Sequence, residues 1–140
     1  MKKSIILLVL GLISLSTISK NHPIIEGTGN GDSGIILGVT YYSKGDNVYF
    51  KVQVHNSHSE SSFFRLNCFL IDANHRENNK MYFGFDDVFQ VDANADLYQL
   101  VSVQKYIVML LENPQAGFIL EKENKSFIMQ YDLGINKGTL

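Results

Sequence analysis

The chain has 140 residues, of which 45% are hydrophobic and 19% are charged, and its formal net charge is −2 at pH 7. This length and composition are typical of one globular domain that folds without a metal or a disulfide. Apart from Lys2 and Lys3, lysines and arginines are scattered singly and form no basic stripe, which excludes the clustered cations that nucleic-acid binding requires. The single cysteine, Cys68, excludes an internal disulfide.

Residues 1–19 have the features of a secretory signal peptide. Lys2 and Lys3 give a positive start, and an uncharged apolar run from Ile5 to Ile13 is followed by small residues. The run is shorter than the roughly 20 residues that span a bilayer. An uncleaved anchor and a buried strand are the alternatives. We predict export to a bacterial periplasm or the extracellular space, with no stable membrane insertion after cleavage.

The segment 20–33 contains one proline and three glycines among Thr, Asn and Asp, and we predict a flexible lead-in there. These glycines do not predict a phosphate-binding loop, because no strand precedes them and the Lys-Ser/Thr pair is missing. A folded domain is predicted over 34–133, and a frayed tail over 134–140.

The clearest strand is Asp46–Asn56, where apolar and polar residues alternate with period two. The apolar positions are Val48, Phe50, Val52 and Val54. The segment Gly34–Ser43 is apolar on both faces at its start, and the turn sequence Lys-Gly-Asp-Asn separates the two segments. Together they predict a hairpin.

Further strands are predicted over Phe63–Asp72, over 81–91 with a bulge at Gly84, and as a last hairpin from 118 to 132. Within Phe63–Asp72 the inward positions include Cys68, which we interpret as a small buried hydrophobe rather than a nucleophile. The segment 97–111 is ambiguous: its Leu, Met, Gln and Lys content favours a helix, whereas its β-branched residues favour a strand.

This pattern gives about six or seven short strands at spacings near ten residues, with at most one helix, at 97–111. Strand–helix alternation does not recur, so a parallel sheet is disfavoured. The predicted fold class is mainly β, an antiparallel β-sandwich of the immunoglobulin-like kind.

Two alternating segments are separated by a polar loop. The first is Val-x-Phe-x-Val-x-Val-x-Asn over Val48–Asn56, and the second is Phe-x-Leu-x-Cys-x-Leu-x-Asp over Phe64–Asp72. Together they resemble the central strand pair of immunoglobulin-like accessory domains of bacterial cell-envelope proteins. The resemblance covers about a fifth of the chain. It implies a β-sandwich that binds partners or spaces other domains, and it carries no catalytic residues.

Four aromatic residues fall on the face opposite the apolar row of their strands: Tyr49, Phe63, Phe69 and Tyr82. An exposed aromatic patch indicates a partner surface, and a second core layer is the equally good alternative. We predict these four residues as the partner-binding site.

Asp92, Asn94 and Asp96 space three oxygen-bearing side chains as the opening of a calcium loop does. The glycine and the bidentate glutamate of such a loop are absent from the following positions. We therefore predict a solvated turn, with calcium as the alternative and no other cofactor. His55, His58 and His75 are predicted as solvated loop residues, with a metal site as the alternative.

No motif in the chain specifies a reaction. The scattered carboxylates fix no acid–base pair, and no serine lies in a Gly-x-Ser-x-Gly elbow. The first hypothesis is an exported non-enzymatic β-sandwich that acts through protein–protein contact, as an inhibitor or immunity-type protein or as an accessory subunit of an envelope assembly. The alternatives are a carbohydrate- or calcium-binding module and a small secreted hydrolase.

Overall fold

The structure, a computed structural model, describes residues 20–21, 25–26, 34–75, 80–84, 87–123 and 127–140. The predicted signal segment and most of the predicted lead-in lie outside these residues. The strands are β1 (Lys20–Asn21), β2 (Ile25–Glu26), β3 (Ile35–Lys44), β4 (Asn47–Asn56), β5 (Ser62–Asp72), β6 (Met81–Phe83), β7 (Val88–Val91), β8 (Ala95–Gln104), β9 (Pro114–Lys122) and β10 (Phe127–Gly134). One α-helix, α1 (Lys105–Leu110), and 3-10 turns at Ala73–His75 and Lys137–Thr139 complete the described elements.

The strands form two antiparallel sheets. Sheet A has the order β1-β3-β4-β8, with β2 also paired to β3, and sheet B has the order β10-β9-β5-β6, with β7 also paired to β5. The long strands β3, β4 and β8 take the places of A, B and E in an immunoglobulin-like sandwich, and β5, β9 and β10 take those of C, F and G. The predicted antiparallel β-sandwich is therefore confirmed.

The hairpin of β3 and β4 follows the sequence prediction closely. Lys44 and Asn47 form its last pair, and Gly45 begins the two-residue loop with a φ of 60°. That left-handed conformation suits glycine and matches the twist of the two strands. The loop thereby fixes the register in which the four predicted apolar residues of β4 face the interior.

The core lies between the two sheets and is centred on Phe50. Its ring centroid lies 6.0 Å from that of Tyr41, 5.4 Å from that of Phe83 and 5.5 Å from that of Phe118. These four rings come from both sheets, so the cluster joins them directly. Cys68 belongs to the same buried cluster, which confirms its interpretation as a buried residue.

The ambiguous segment 97–111 contains both predicted elements in succession. β8 pairs with β4 along its whole length, with Val101 and Val103 facing the core. At the end of the ladder the Lys105 amide donates to the Asp46 carbonyl, and α1 begins there and buries Val108. Each sequence pattern was therefore correct for one half of the segment.

Some described residues of the predicted lead-in and tail make contacts that the sequence did not predict. In the segment assigned to the lead-in, β1 and β2 pair with β3. The segment predicted as a frayed tail is packed: Ile135 is buried, and the Asn136 amide donates to the Tyr41 hydroxyl at 3.0 Å. Lys137 Nζ donates to the Leu111 carbonyl at 2.7 Å, so the tail also holds the end of α1.

The predicted strand over 81–91 is divided in the structure. Residues 81–83 form β6 and residues 88–91 form β7, and Gly84 between them has a φ of 82°. Both short strands pair with the same edge of β5, at 68–70 and at 62–65. Among the described strands, none pairs with Leu66 and Asn67 on this edge of β5, a division that the sequence did not predict.

Candidate functional site

The outer face of sheet A carries polar and aromatic side chains in five cross-strand rows. The register of β3, β4 and β8 places alternate residues of each strand on this face. We call it the tyrosine face, and its rows are Lys44-Asn47-Gln104, Tyr42-Tyr49-Ser102, Thr40-Lys51-Leu100, Gly38-Gln53-Tyr98 and Ile36-His55-Asp96.

The middle of the tyrosine face is aromatic, with Tyr42 and Tyr49 half-buried and Tyr98 and Leu100 exposed. Tyr42 and Tyr49 stack with a centroid distance of 5.3 Å and an interplanar angle of 18°. Lys51 Nζ lies 4.7 Å from the Tyr98 ring centroid, within range of a cation–π interaction. Tyr98 and Leu100, on the edge strand β8, are each 52% exposed. These contacts hold the rings in place without covering the face.

One end of the tyrosine face is a polar cluster around Asp96. His55 Nδ1 lies 2.7 Å from Asp96 Oδ1, and Gln53 Nε2 donates to the same oxygen at 3.2 Å. The predicted loop residue His55 is thus on strand β4 and faces Asp96 across the ladder. The cluster offers both donors and acceptors to a partner.

The predicted partner-binding aromatics do not form one surface. Tyr49 lies on the tyrosine face, whereas Phe63, Phe69 and Tyr82 lie on the outer face of sheet B. Phe63 is 44% exposed and Tyr82 is 64% exposed. The missed residues Tyr98 and Leu100 lie in the ambiguous segment 97–111, where a continued period-two alternation would have indicated them.

The prediction that Phe69 is exposed is wrong, because the ring is fully buried although it points outward. The ring tip lies over Gly117, where any Cβ atom would overlap it. Tyr82 meets the ring edge-on at a centroid distance of 6.0 Å, and Lys80 Nζ lies 4.8 Å from its centroid. Cross-strand neighbours thus cover Phe69 from outside the core.

Asp92, Asn94 and Asp96 do not share one face of a strand. Asp92 precedes the turn between β7 and β8, Asn94 occupies that turn with a φ of 52°, and only Asp96 is in β8. The Asp96 carboxylate is held by His55. Across the described parts of the chain, no group of three or more His, Cys, Asp or Glu side chains is arranged to hold a metal ion.

Asn56 is the buried polar residue that fixes this end of the sandwich. Its Nδ2 donates to the carbonyls of Glu60 at 2.9 Å and Val91 at 3.2 Å, and its Oδ1 accepts from the His58 amide at 3.0 Å. These bonds tie the β4–β5 loop to the end of β7. His58 and His75 lie beyond opposite ends of β5, so the predicted histidines are not brought together.

Two ionisable groups of β5 have shifted pKa values. Burial raises the pKa of the Cys68 thiol to about 12, so the thiol stays protonated and is a poor nucleophile. Amide donation, first from Asn74 and then from Glu112 and Asn113, lowers the pKa of Asp72 against an opposing desolvation effect. Asp72 thereby joins the end of β5 to the connection between α1 and β9.

A second exposed region lies at α1. Tyr106, Met109 and Leu110 are exposed and line a groove of about 630 Å³ together with Asp46, Gln104 and Lys105. Gln104 belongs both to this groove and to the Lys44-Asn47-Gln104 row of the tyrosine face. The two exposed regions are therefore continuous.

No protein-family model and no curated protein matches the chain. A calcium-binding mutant of Bacteroides uniformis beta-glucuronidase 2 aligns with 11% identity and a TM-score of 0.50, over 76% of this chain and 13% of that chain. A structure of Bacteroides uniformis beta-glucuronidase aligns with 11% identity and a TM-score of 0.48, over 75% and 13% of the two chains.

A beta-glucosidase from Streptomyces venezuelae in complex with D-glucose gives 14% identity and a TM-score of 0.43, over 77% of this chain and 16% of that chain. The chain thus corresponds to a small part of each of these longer proteins. At 11% identity, the likeness to the first structure supports the β-sandwich fold alone. Among the helices that the structure describes, none has the length and hydropathy to cross a membrane.

Proposed function

We propose that the chain is an exported, non-enzymatic binding module that contacts a partner protein through its tyrosine face. The observation that carries this proposal is the exposure of Tyr98 and Leu100, each 52%, beside the stacked pair of Tyr42 and Tyr49. A contiguous exposed aromatic and apolar band on a β-sandwich is typical of an interaction surface.

The composition and shape of the face favour a protein over a small ligand. Tyrosine and apolar side chains occupy its middle, and Asp96, His55 and Lys44 lie in the rows at its ends, as in the apolar centre and polar rim of protein interfaces. Five rows two residues apart extend over roughly 27 Å along the sheet. A small molecule usually requires a concave site instead.

The position of β8 adds a second way to bind. Among the described strands, β8 pairs only with β4, so its other edge faces away from the sheet. Ten residues of edge strand offer main-chain donors and acceptors to an extended partner segment. The groove at α1 continues the same surface and enlarges the area that a partner would bury.

The test is site-specific cross-linking in the native host. A photo-reactive amino acid at position 98 should cross-link the partner, and the double variant Tyr98→Ser/Leu100→Ser should lose at least about 90% of the co-purified partner, a tenfold loss of affinity. Val88→Ser, at an exposed apolar residue of sheet B, is the matched control and should retain it. A clean monomer with no cross-linked product, or equal loss in Val88→Ser, would contradict the proposal.

Export and independence from metal are separate parts of the proposal. N-terminal sequencing of the mature protein should show cleavage close to residue 19, and full-length intracellular protein would contradict export. Millimolar calcium should leave the melting temperature unchanged, whereas a rise would favour the calcium alternative at Asp92, Asn94 and Asp96. Hydrolysis of a generic ester, glycoside or peptide substrate would favour the hydrolase alternative.

A further inference from the structure

Strand β8 has one edge to which no strand is paired in the part of the chain that the structure describes. β4 pairs with the other edge along all ten residues, from Ala95 to Gln104, without a bulge. Edge strands of monomeric proteins are usually short or bulged, or they are protected by proline and inward-pointing charges. β8 contains no proline or glycine, and its single charged residue, Asp96, lies on the outer face. The edge is therefore suited to pairing with another strand.

The sequence of β8 is complementary to itself when two copies run antiparallel about a two-fold axis at Gln99. In that register Tyr98 faces Leu100 of the second copy on the outer face of the sheet, and Leu97 faces Val101 on the inner face. Each of these apolar pairs occurs twice, because the axis relates the two strands. Side chains placed directly opposite each other in this way are the pairs that stabilise a sheet.

The nearest alternative registers lose this match. With the axis at Tyr98, Asp96 would face Leu100, and with the axis at Leu100, Gln99 would face Val101. Both registers place a polar or charged side chain opposite an apolar one. A shift by one residue would bring the core side of one copy to the outer side of the other. The side-chain pattern of β8 therefore selects the axis at Gln99.

The charges at the two ends of sheet A favour the antiparallel arrangement. The end next to α1 carries two lysines and one aspartate, whereas the other end carries two aspartates. These residues are Lys44, Lys105 and Asp46 at the first end, and Asp92 and Asp96 at the second. In an antiparallel pair the lysine end of each copy adjoins the aspartate end of the other. A parallel pair would instead bring like ends together, which complementary interfaces avoid.

We propose that two copies of the chain associate through β8, about a two-fold axis at Gln99, and join their A sheets into one continuous sheet. This inference rests on the proposed function, since β8 is the edge of the tyrosine face, and it identifies a second copy as the occupant of that edge. The tyrosine faces of the two copies then form one surface, in which Tyr98 of each copy lies beside Leu100 of the other. The second copy thereby supplies part of the surface that a partner protein contacts.

The test is analytical ultracentrifugation of the purified mature chain with no other protein present. The unmodified chain should dimerise with a Kd of about 10 µM. Gln99→Lys and Gln99→Glu each place like charges opposite each other at the axis and should raise the Kd at least about tenfold. An equimolar mixture of these two variants should form a heterodimer about as tightly as the unmodified chain does. Ser102→Lys is the matched control and should retain the dimer, because it lies opposite Asp96 of the second copy.

Gln99→Cys gives a second readout that does not require a charge at this half-buried position. Residues directly opposite each other in an antiparallel pair have Cβ atoms about 4.5–5.5 Å apart, so mild oxidation should join two copies covalently. The native Cys68 is buried and does not compete. Ser102→Cys should not be joined, because six residue positions, roughly 20 Å along the strand, separate it from its own counterpart.

The outcomes separate this inference from the proposed function. A chain that stays monomeric at about 1 mM, or a dimer that forms equally well with Gln99→Lys and Gln99→Glu, would overturn the pairing of β8 with itself. If that chain still cross-links a different protein from position 98, the proposed function stands without the dimer. If the dimer forms as expected and no different protein is cross-linked, the proposed function alone is contradicted.

Discussion

Outward-pointing aromatic residues differ in solvent exposure between the outer faces of the two sheets. Tyr98 on sheet A is 52% exposed, whereas Phe69 on sheet B is fully buried, although both alternate with core residues along their strands. The difference arises across the strands: Phe69 lies over Gly117 and under Lys80, whereas Lys51 approaches Tyr98 and leaves half of it open. Strand alternation therefore predicts the face of the sheet to which a side chain points, whereas its neighbours on adjacent strands determine its solvent exposure.

The largest expected effect comes from truncating these two rings in parallel. Phe69→Ala removes a fully buried ring and should lower the free energy of unfolding by about 3–5 kcal/mol. Tyr98→Ala removes an exposed ring and should change it by no more than about 0.5 kcal/mol. Urea unfolding of both variants measures the contrast, and equal losses would show that the two faces are packed alike.

The substitution Gly117→Ala tests the contact between Phe69 and Gly117 by adding a methyl group at the glycine. Gly117→Ala forces the buried ring to move and should cost about 1–3 kcal/mol of unfolding free energy. Gly134→Ala is the matched control on the neighbouring strand β10, because a Cβ there meets no atom within 4 Å. The double variant Gly117→Ala/Phe69→Leu should lose less than the sum of its parts, and strict additivity would contradict the contact.

Asp72 of sheet B and Asp96 of sheet A should contribute differently to the free energy of unfolding, and the contribution of Asp72 should depend on pH. Asp72 of sheet B is bound by main-chain amides, and its folded-state pKa lies below its unfolded value. It therefore stabilises the protein above the unfolded pKa of about 4, and this contribution is lost as pH falls through the lower folded pKa. The unfolding free energy of Asp72→Asn should be lower than that of the unmodified chain at pH 7, and the difference should disappear in strong acid.

The matching aspartate of sheet A is Asp96, whose partners are the exposed side chains of His55 and Gln53. Removal of an exposed pair of this kind usually costs about 0.2–1 kcal/mol. Asp96→Asn should accordingly change the unfolding free energy less than Asp72→Asn at pH 7. A larger loss in Asp96→Asn would mean that the polar end of the tyrosine face has a structural role.

The smallest expected effect is on the tyrosine face itself. Leu100→Ser exposes a hydroxyl where an apolar side chain already meets water, so the unfolding free energy should change by no more than about 0.5 kcal/mol. The same substitution should reduce partner binding. A loss of stability comparable to that of Gly117→Ala would indicate that Leu100 belongs to the packed structure rather than to a binding surface.

The sequence alone determined the β-sandwich and most of the core. Period-two alternation predicted the inward residues of β4 and β5, including Cys68, because one face of each strand has to leave water. The two-residue turn at Gly45 determined the register of the first hairpin, since few residues adopt its positive φ. These features depend on local conformation and on burial, and both can be predicted from short stretches of sequence.

The tertiary structure alone decided which outward residues form a surface. The cover over Phe69 depends on Lys80, Tyr82 and Gly117, which lie 11, 13 and 48 positions away along the chain. The junction of β8 with α1 depends on Asp46 and Lys105, which are 59 positions apart. The docked tail likewise depends on Tyr41 and Asn136, which are 95 positions apart. Contacts at such separations follow from strand pairing, and alternation within one strand carries no information about its partner across the sheet.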